Sequence, residues 1–191
     1  MLVLGAEEID LYDAFGMVLL AGGGEPIGRT ALQKLIYFCC NSAANIENAD
    51  FAPQYYGPYS AKLSVVMERM FSCGYIEQIM RHGIQYDVYH YKLMDNGARL
   101  ANKAKSQHPE DYLKIGDIVK TCDDMVEPLA PKLSYVSKIH YISKKQKART
   151  PDKISLHGMR YGWNMDIALV REHWPLFEKF NEKCQMNPIT H

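Results

Sequence analysis

The chain has 191 residues, 47% of them hydrophobic and 23% charged, a make-up that fits a folded globular protein and excludes a disordered one. Its 22 basic and 22 acidic residues cancel, whereas a DNA-binding protein ordinarily carries an excess of positive charge. The longest apolar runs, such as M-V-L-L-A at 17–21, fall far short of the roughly 20 residues of a bilayer span, so no membrane association is expected.

The start of the chain, M-L-V-L-G-A-E-E-I-D, has no basic lead and meets acid at Glu7, so it does not read as a secretory signal, and a cytoplasmic location is expected. Five cysteines, at 39, 40, 73, 122 and 184, have no C-x-x-C spacing and read as reduced, packed thiols rather than a disulfide framework or a zinc site. Charge is spread unevenly: residues 1–105 carry a net −2 and residues 106–191 a net +2.

In chain order, Leu11, Ala14, Phe15 and Val18 mark one face of a helix that G-G-G at 22–24 stops. Thr30 is expected to cap a second helix with Leu32, Leu35, Ile36 and Cys39 on its buried face, ending near Asn41. After a polar loop and an extended piece at 51–56, expected beside a later hairpin, the Gly57-Pro58 pair is expected to start a third helix. Its stripe is Leu63, Val66, Met67 and Met70, and Gly74 is its stop. Y-I-E-Q-I-M at 75–80 and Y-D-V-Y-H-Y-K-L at 86–93 read as a β-hairpin, and Asp95 is expected to cap a fourth helix that ends before Pro109.

Three helices, a hairpin and a closing helix outline an α+β fold with a winged-helix-like N-terminal module at residues 1–105. Residues 106–191 read as a helical C-terminal part, packed on that module or mediating a homodimer. It begins with a narrow apolar seam at Tyr112, Ile115, Val119, Cys122 and Val126. Pro128 and Pro131 are expected to break the chain, a helix to run from Leu133 to about Lys145, and Pro151 to start a short piece. A last aromatic helix at 164–180 is expected to kink or break at Pro175.

The glycines at 22–28 lack the features of a dinucleotide loop: the segment before them has helical spacing, Pro26 interrupts, and no strand ending in an acid follows about 20 residues on. No histidine pair has H-E-x-x-H or i, i+4 spacing, so no catalytic residue, metal or cofactor is assigned. Candidate binding positions fall on three elements. Arg29, Thr30, Gln33 and Lys34 at the start of the second helix are placed to hold phosphates. Tyr59, Ser60, Lys62 and Ser64 are expected to face outward early in the third helix, and Arg81, His82 and Gln85 lie on the wing. A secondary basic patch, Lys144, Lys145, Lys147 and Arg149, lies in S-K-K-Q-K-A-R at 143–149.

G-R-T-A-L-Q-K-L-I-Y-F at 28–38, Y-Y-G-P-Y-S-A-K-L at 55–63, G-Y-I-E at 74–77 and R-Y-G-W-N at 160–164 resemble the YwgA-like family of uncharacterised bacterial and archaeal proteins. More distantly, the L-Q-K-L-x-Y-F and Y-G-P segments resemble the Panacea domain of antitoxins, which usually has an aliphatic residue where this chain has Tyr59. The resemblance implies a winged-helix-like fold without catalytic residues. Two functions are therefore expected: a transcriptional regulator binding double-stranded DNA, or a module that binds a protein partner as an antitoxin or inhibitor does.

Overall fold

Asp10 sets the first element: its carboxylate accepts from the Asp13 amide at 2.8 Å, and helix α1 follows over Leu11–Ala21. It stops at the glycine run, where Gly23 and Gly24 take positive φ. In the computed structural model, which describes residues 7–82, 87–122 and 129–184, there follow β1 (Ile27–Gly28), α2 (Arg29–Cys39), β2 (Ala52–Gln54), β3 (Gly57–Tyr59) and α3 (Ala61–Ser72). Next come β4 (Ile76–Arg81), β5 (Val88–Leu93), α4 (Asp95–Gln107), α5 (Pro109–Lys120) and α6 (Leu129–Gln146). The last elements are α7 (Pro151–Gly158), a 3-10 turn at Met159–Tyr161 and α8 (Ile167–Cys184). The architecture is α+β, as expected: helices with two small antiparallel sheets.

One sheet has the order β1-β5-β4. The expected hairpin is its main part, in a register that sets Ile76 opposite Leu93 and Arg81 opposite Val88, and β1 adds an edge by pairing Ile27 with Tyr91. Ile76 and Tyr91 turn to the core while Glu77 and Lys92 stay in water, the alternation of a half-buried sheet. The other sheet is β2-β3 alone.

The core forms around α2. Every residue from Ala31 to Cys39 is buried, because α1, α5, α6 and β3 together surround the helix. Phe38 stacks on Phe180 of α8 at 4.2 Å, so the buried cluster runs without a gap from Ile9 to Phe180. The α3 stripe of Leu63, Val66, Met67 and Met70 is buried as expected, and Gly74 takes positive φ after the helix. Ile115 and Val119 of the α5 seam are buried and Tyr112 and Cys122 half-buried against the same cluster; Val126 and Pro128 lie outside the described residues.

Several expected element boundaries shift. The Gly-Pro pair does not start α3: Gly57 has φ +99, which no helix uses, and Pro58 sits in β3 opposite Pro53. The helix starts at Ala61, capped by Ser60, whose Oγ accepts from the Leu63 amide at 3.0 Å. The extended piece at 51–56 does not lie beside the β4-β5 hairpin, since β2 pairs only with β3, and β3 packs on α6. Thr30 is not a cap, because Gly28 belongs to β1 and the chain passes straight from strand to helix at Arg29. Asp95 is the first helical residue of α4, its carboxylate in the first turn where a negative charge suits the helix dipole. Pro131 falls inside the first turn of α6, where a missing N–H is harmless, so no break occurs there. Pro175 does not break α8, since both it and Arg171, whose carbonyl loses its partner, face solvent.

Candidate functional site

The L-Q-K and Y-G-P-Y-S segments turn out to be two halves of one lock. Gln33 Oε1 accepts from the Ser60 amide at 3.0 Å, while its Nε2 donates to the Ser60 carbonyl at 3.0 Å and to Ser64 Oγ at 3.1 Å. Ser64 Oγ in turn donates to the Tyr59 hydroxyl at 2.7 Å, and the Ser60 hydroxyl donates to the Ala49 carbonyl. Lys34 is 2% exposed and donates from Nζ to the Pro58 carbonyl at 2.6 Å. Burial, with the Lys138 charge adding to it, pulls its pKa down to about 7. From the far side, Trp163 of R-Y-G-W-N donates Nε1 to the Gln54 carbonyl at 2.6 Å.

The turn between β2 and β3 is thus pinned at Gln54 and at Pro58, and its tip holds Tyr55 and Tyr56. These rings meet edge-to-face at 4.8 Å and are 78% and 51% exposed. Their segment was expected beside the β4-β5 hairpin and Tyr59 facing outward; instead the two rings are exposed and Tyr59 is half-buried in the lock. Gly57 makes the turn possible. A Cβ there would lie 3.0 Å from Ser137 Oγ and 3.3 Å from the Ser134 carbonyl on α6, on top of a φ that disfavours side chains. Gly57→Ala is therefore expected to lower the urea midpoint by the equivalent of about 1–3 kcal/mol.

Beside the tip lies a cleft of about 410 Å3 that brings together Arg29, Thr30, Gln33, Lys34 and Tyr59 of the expected binding residues with Tyr55 and Tyr56. Arg29 and Thr30 are half-exposed there, while Gln33 and Lys34 are buried rather than free to hold phosphates. Ser60 and Ser64 are buried too, since the lock consumes their polar atoms, so they do not face outward. Lys62 does face outward, and Asp50 pairs with it at 2.7 Å.

At the β4-β5 hairpin, Arg81 and His82 are exposed, and His82 Nδ1 lies 2.8 Å from Asp87 Oδ1; Gln85 lies outside the described residues. The patch at the end of α6 does not join the cleft. Lys144 donates to Asn41 Oδ1 at 2.6 Å, Lys145 stands 5.9 Å above the Tyr141 ring, and both border a second cleft of about 370 Å3 that also holds Glu8 and Glu47. Lys147, at φ +50, and Arg149 are exposed beyond it.

Deeper in the chain, burial pushes the Cys39 thiol well up and the Cys40 and Cys184 thiols up to about 12, which makes them poor nucleophiles. Among the described residues no three His, Cys, Asp or Glu side chains gather as metal ligands, and no helix is long and apolar enough to cross a membrane.

No protein-family model matches the chain. It is similar to the uncharacterized protein YwgA of Bacillus subtilis (strain 168), 27% identical over 135 residues that cover 70% of this chain and 80% of that relative. The similarity supports a YwgA-like family. What sequence reasoning missed is that Gln33, Lys34, Ser60 and Ser64 face inward. The signal available was the pairing of adjacent Gln33 and Lys34, within an otherwise apolar helix, with a Gly-Pro segment that offers carbonyls.

Proposed function

We propose that this is a non-enzymatic, winged-helix-like module that binds a protein partner. The winged-helix reading is supported by the order helix, short strand, helix, helix, two-stranded wing, with β1 completing the wing sheet. The β2-β3 hairpin is then an insertion between the second and third helices, where a helix-turn-helix has only a short turn.

The observation that carries the protein-binding reading is the outer face of α3. With Ser60 and Ser64 buried, that face presents Ala61, Lys62, Val65, Glu68, Arg69 and Phe71, and the Lys62 charge is offset by Asp50. A helix meant for a DNA groove needs uncompensated cations and polar groups reaching base edges. This one has two large exposed apolar side chains, Val65 and Phe71, and on the wing Met80 and Tyr89 are exposed directly opposite each other. Exposed apolar groups on a regular surface suit a protein partner.

The second reading, a DNA-binding regulator, is favoured by Lys62, Arg69 and Arg81, which all face solvent on α3 and the wing. A homodimer through the helical C-terminal part would present two such surfaces. One experiment separates the two. Tagged full-length protein recovered from its native host should bring down a partner in fixed proportion, and Val65→Glu with Met80→Glu should reduce that recovery by about tenfold without altering thermal unfolding. Duplex binding that falls steeply with salt, is lost in Lys62→Ala with Arg81→Ala, and occurs without a protein partner would replace this reading with the regulator.

A further inference from the structure

The cleft beside the β2-β3 turn has no acidic residue in its lining. Its basic residues are Arg29, half-exposed, and Lys34, whose Nζ is held at the Pro58 carbonyl. The start of α2 also borders it, and Gly28 at the cap position supplies no side-chain acceptor, so the positive end of that helix adds to the field. The remaining wall is largely aromatic. Tyr55 and Tyr56 project from a turn whose flanking carbonyls, Gln54 and Pro58, are held by Trp163 and Lys34. Rings carried on a turn whose backbone is held on both sides need no ordering of the main chain when something packs on them, which suits an interface anchor.

We propose that this cleft receives a linear peptide segment of a protein partner, one with an acidic residue next to a large apolar side chain. The carboxylate lies against Arg29 at the mouth of the cleft, and the apolar side chain packs on Tyr55 and Tyr56. The inference rests on the protein-binding reading and names the chemistry of what is bound. A peptide suits the cleft better than a nucleic acid strand does. A strand asks for a succession of cations along a groove, and in this lining Lys34 is almost wholly buried, which leaves Arg29 to meet a ligand charge. One carboxylate matches one accessible cation, and a volume of about 410 Å3 has room for a few side chains.

The test is a selection of displayed random linear peptides on immobilised full-length protein, followed by fluorescence anisotropy with the most enriched peptide. Enriched sequences should share Asp or Glu next to Leu, Phe, Tyr or Trp. The labelled peptide should bind at least about tenfold more weakly to Tyr55→Ala with Tyr56→Ala and to Arg29→Glu. Replacing its acid by the amide should weaken it similarly, and the variants should keep the thermal unfolding of the parent protein. The proposal is overturned if no peptide is enriched, if the enriched peptides lack an acid, if binding ignores the tip variants, or if oligo-dT binds more tightly than the peptide. Peptide binding lost in Val65→Glu but kept in the tip variants removes the cleft while leaving the protein-binding reading in place. Duplex binding with no peptide binding removes both.

Discussion

Replacing Gln33 by Met is expected to cost on the order of 3 kcal/mol of folding stability, because the side chain is nearly isosteric while one buried amide is left without a partner, at about 1–3 kcal/mol, and two further buried polar groups each lose one of two hydrogen bonds. Those groups are the Ser60 amide, the Ser60 carbonyl and Ser64 Oγ, at sites where both serines are buried and water has no ready access. Ser64 keeps its bond to Tyr59 and the Ser60 carbonyl keeps its bond from the Ser64 amide, so the Ser60 amide carries the largest share. A loss of that size is a large part of the roughly 5–15 kcal/mol that holds an ordinary domain folded. Urea denaturation reads it as a drop in midpoint at constant slope. Ser64→Ala removes only one of the Gln33 bonds together with the Tyr59 contact and should cost less, about 1–2 kcal/mol. If Gln33→Met proves as stable as the parent protein, the lock is not what holds the hairpin.

The second large effect is a loss of stability in acid centred on His140. Its Nδ1 lies 2.8 Å from the Tyr37 hydroxyl, in a pocket formed by Phe38 of α2 and Phe177 of α8. Burial, with Lys144 adding to it, pulls the imidazole pKa down to about 3. The unfolded imidazole takes its proton near pH 6.5. Between those two values the unfolded chain therefore binds one more proton than the folded one, and stability falls as pH falls, by up to about 1.4 kcal/mol per pH unit. Above pH 6.5 the ring is neutral in both states and the effect is absent. Burial also holds the Tyr37 phenol well above its ordinary value, so that partner stays protonated throughout the acid range. Denaturant midpoints measured from pH 7 to pH 4 should drop with this slope. In the paired variant His140→Phe with Tyr37→Phe, which removes both polar partners together, the profile should flatten. An unchanged slope would place the acid sensitivity in the carboxylates instead. Four of the five ion pairs seen among the described residues are exposed and contribute little of that kind; the fifth joins Lys114 to the buried Asp111.

Helix faces were legible wherever period alone decides burial. The α3 stripe and the β4-β5 hairpin were read correctly because the spacing of Leu63, Val66, Met67 and Met70, and the aromatic and β-branched residues around a Gly-containing connector, are local patterns. The resemblance also drew attention to the right segments, L-Q-K and Y-G-P. Their orientation was not legible. Gln33 and Lys34 look like a solvated helix start, and only the approach of β3 and α6 buries them. The same contact moved the start of α3 from Pro58 to Ala61, since Gly57 takes a backbone angle chosen by α6 rather than by its own neighbours in sequence. Tyr55 and Tyr56 were exposed for a related reason: once both ends of the turn are held, the tip has nowhere inward to go.

The bond from Trp163 to Gln54 spans 109 positions of chain, and the one between Tyr37 and His140 spans 103. Contacts so distant in sequence form slowly, because the intervening loop must be closed before they contribute anything. The β4-β5 hairpin and α3 can assemble from neighbouring residues, whereas the tyrosine tip acquires its final geometry only after α6 and α7 have docked and brought Trp163 to the turn. A chain emerging from the ribosome would thus display the hairpin surface before the tip. In refolding of a Trp174→Phe variant, the remaining Trp163 signal should lag behind the gain of helix.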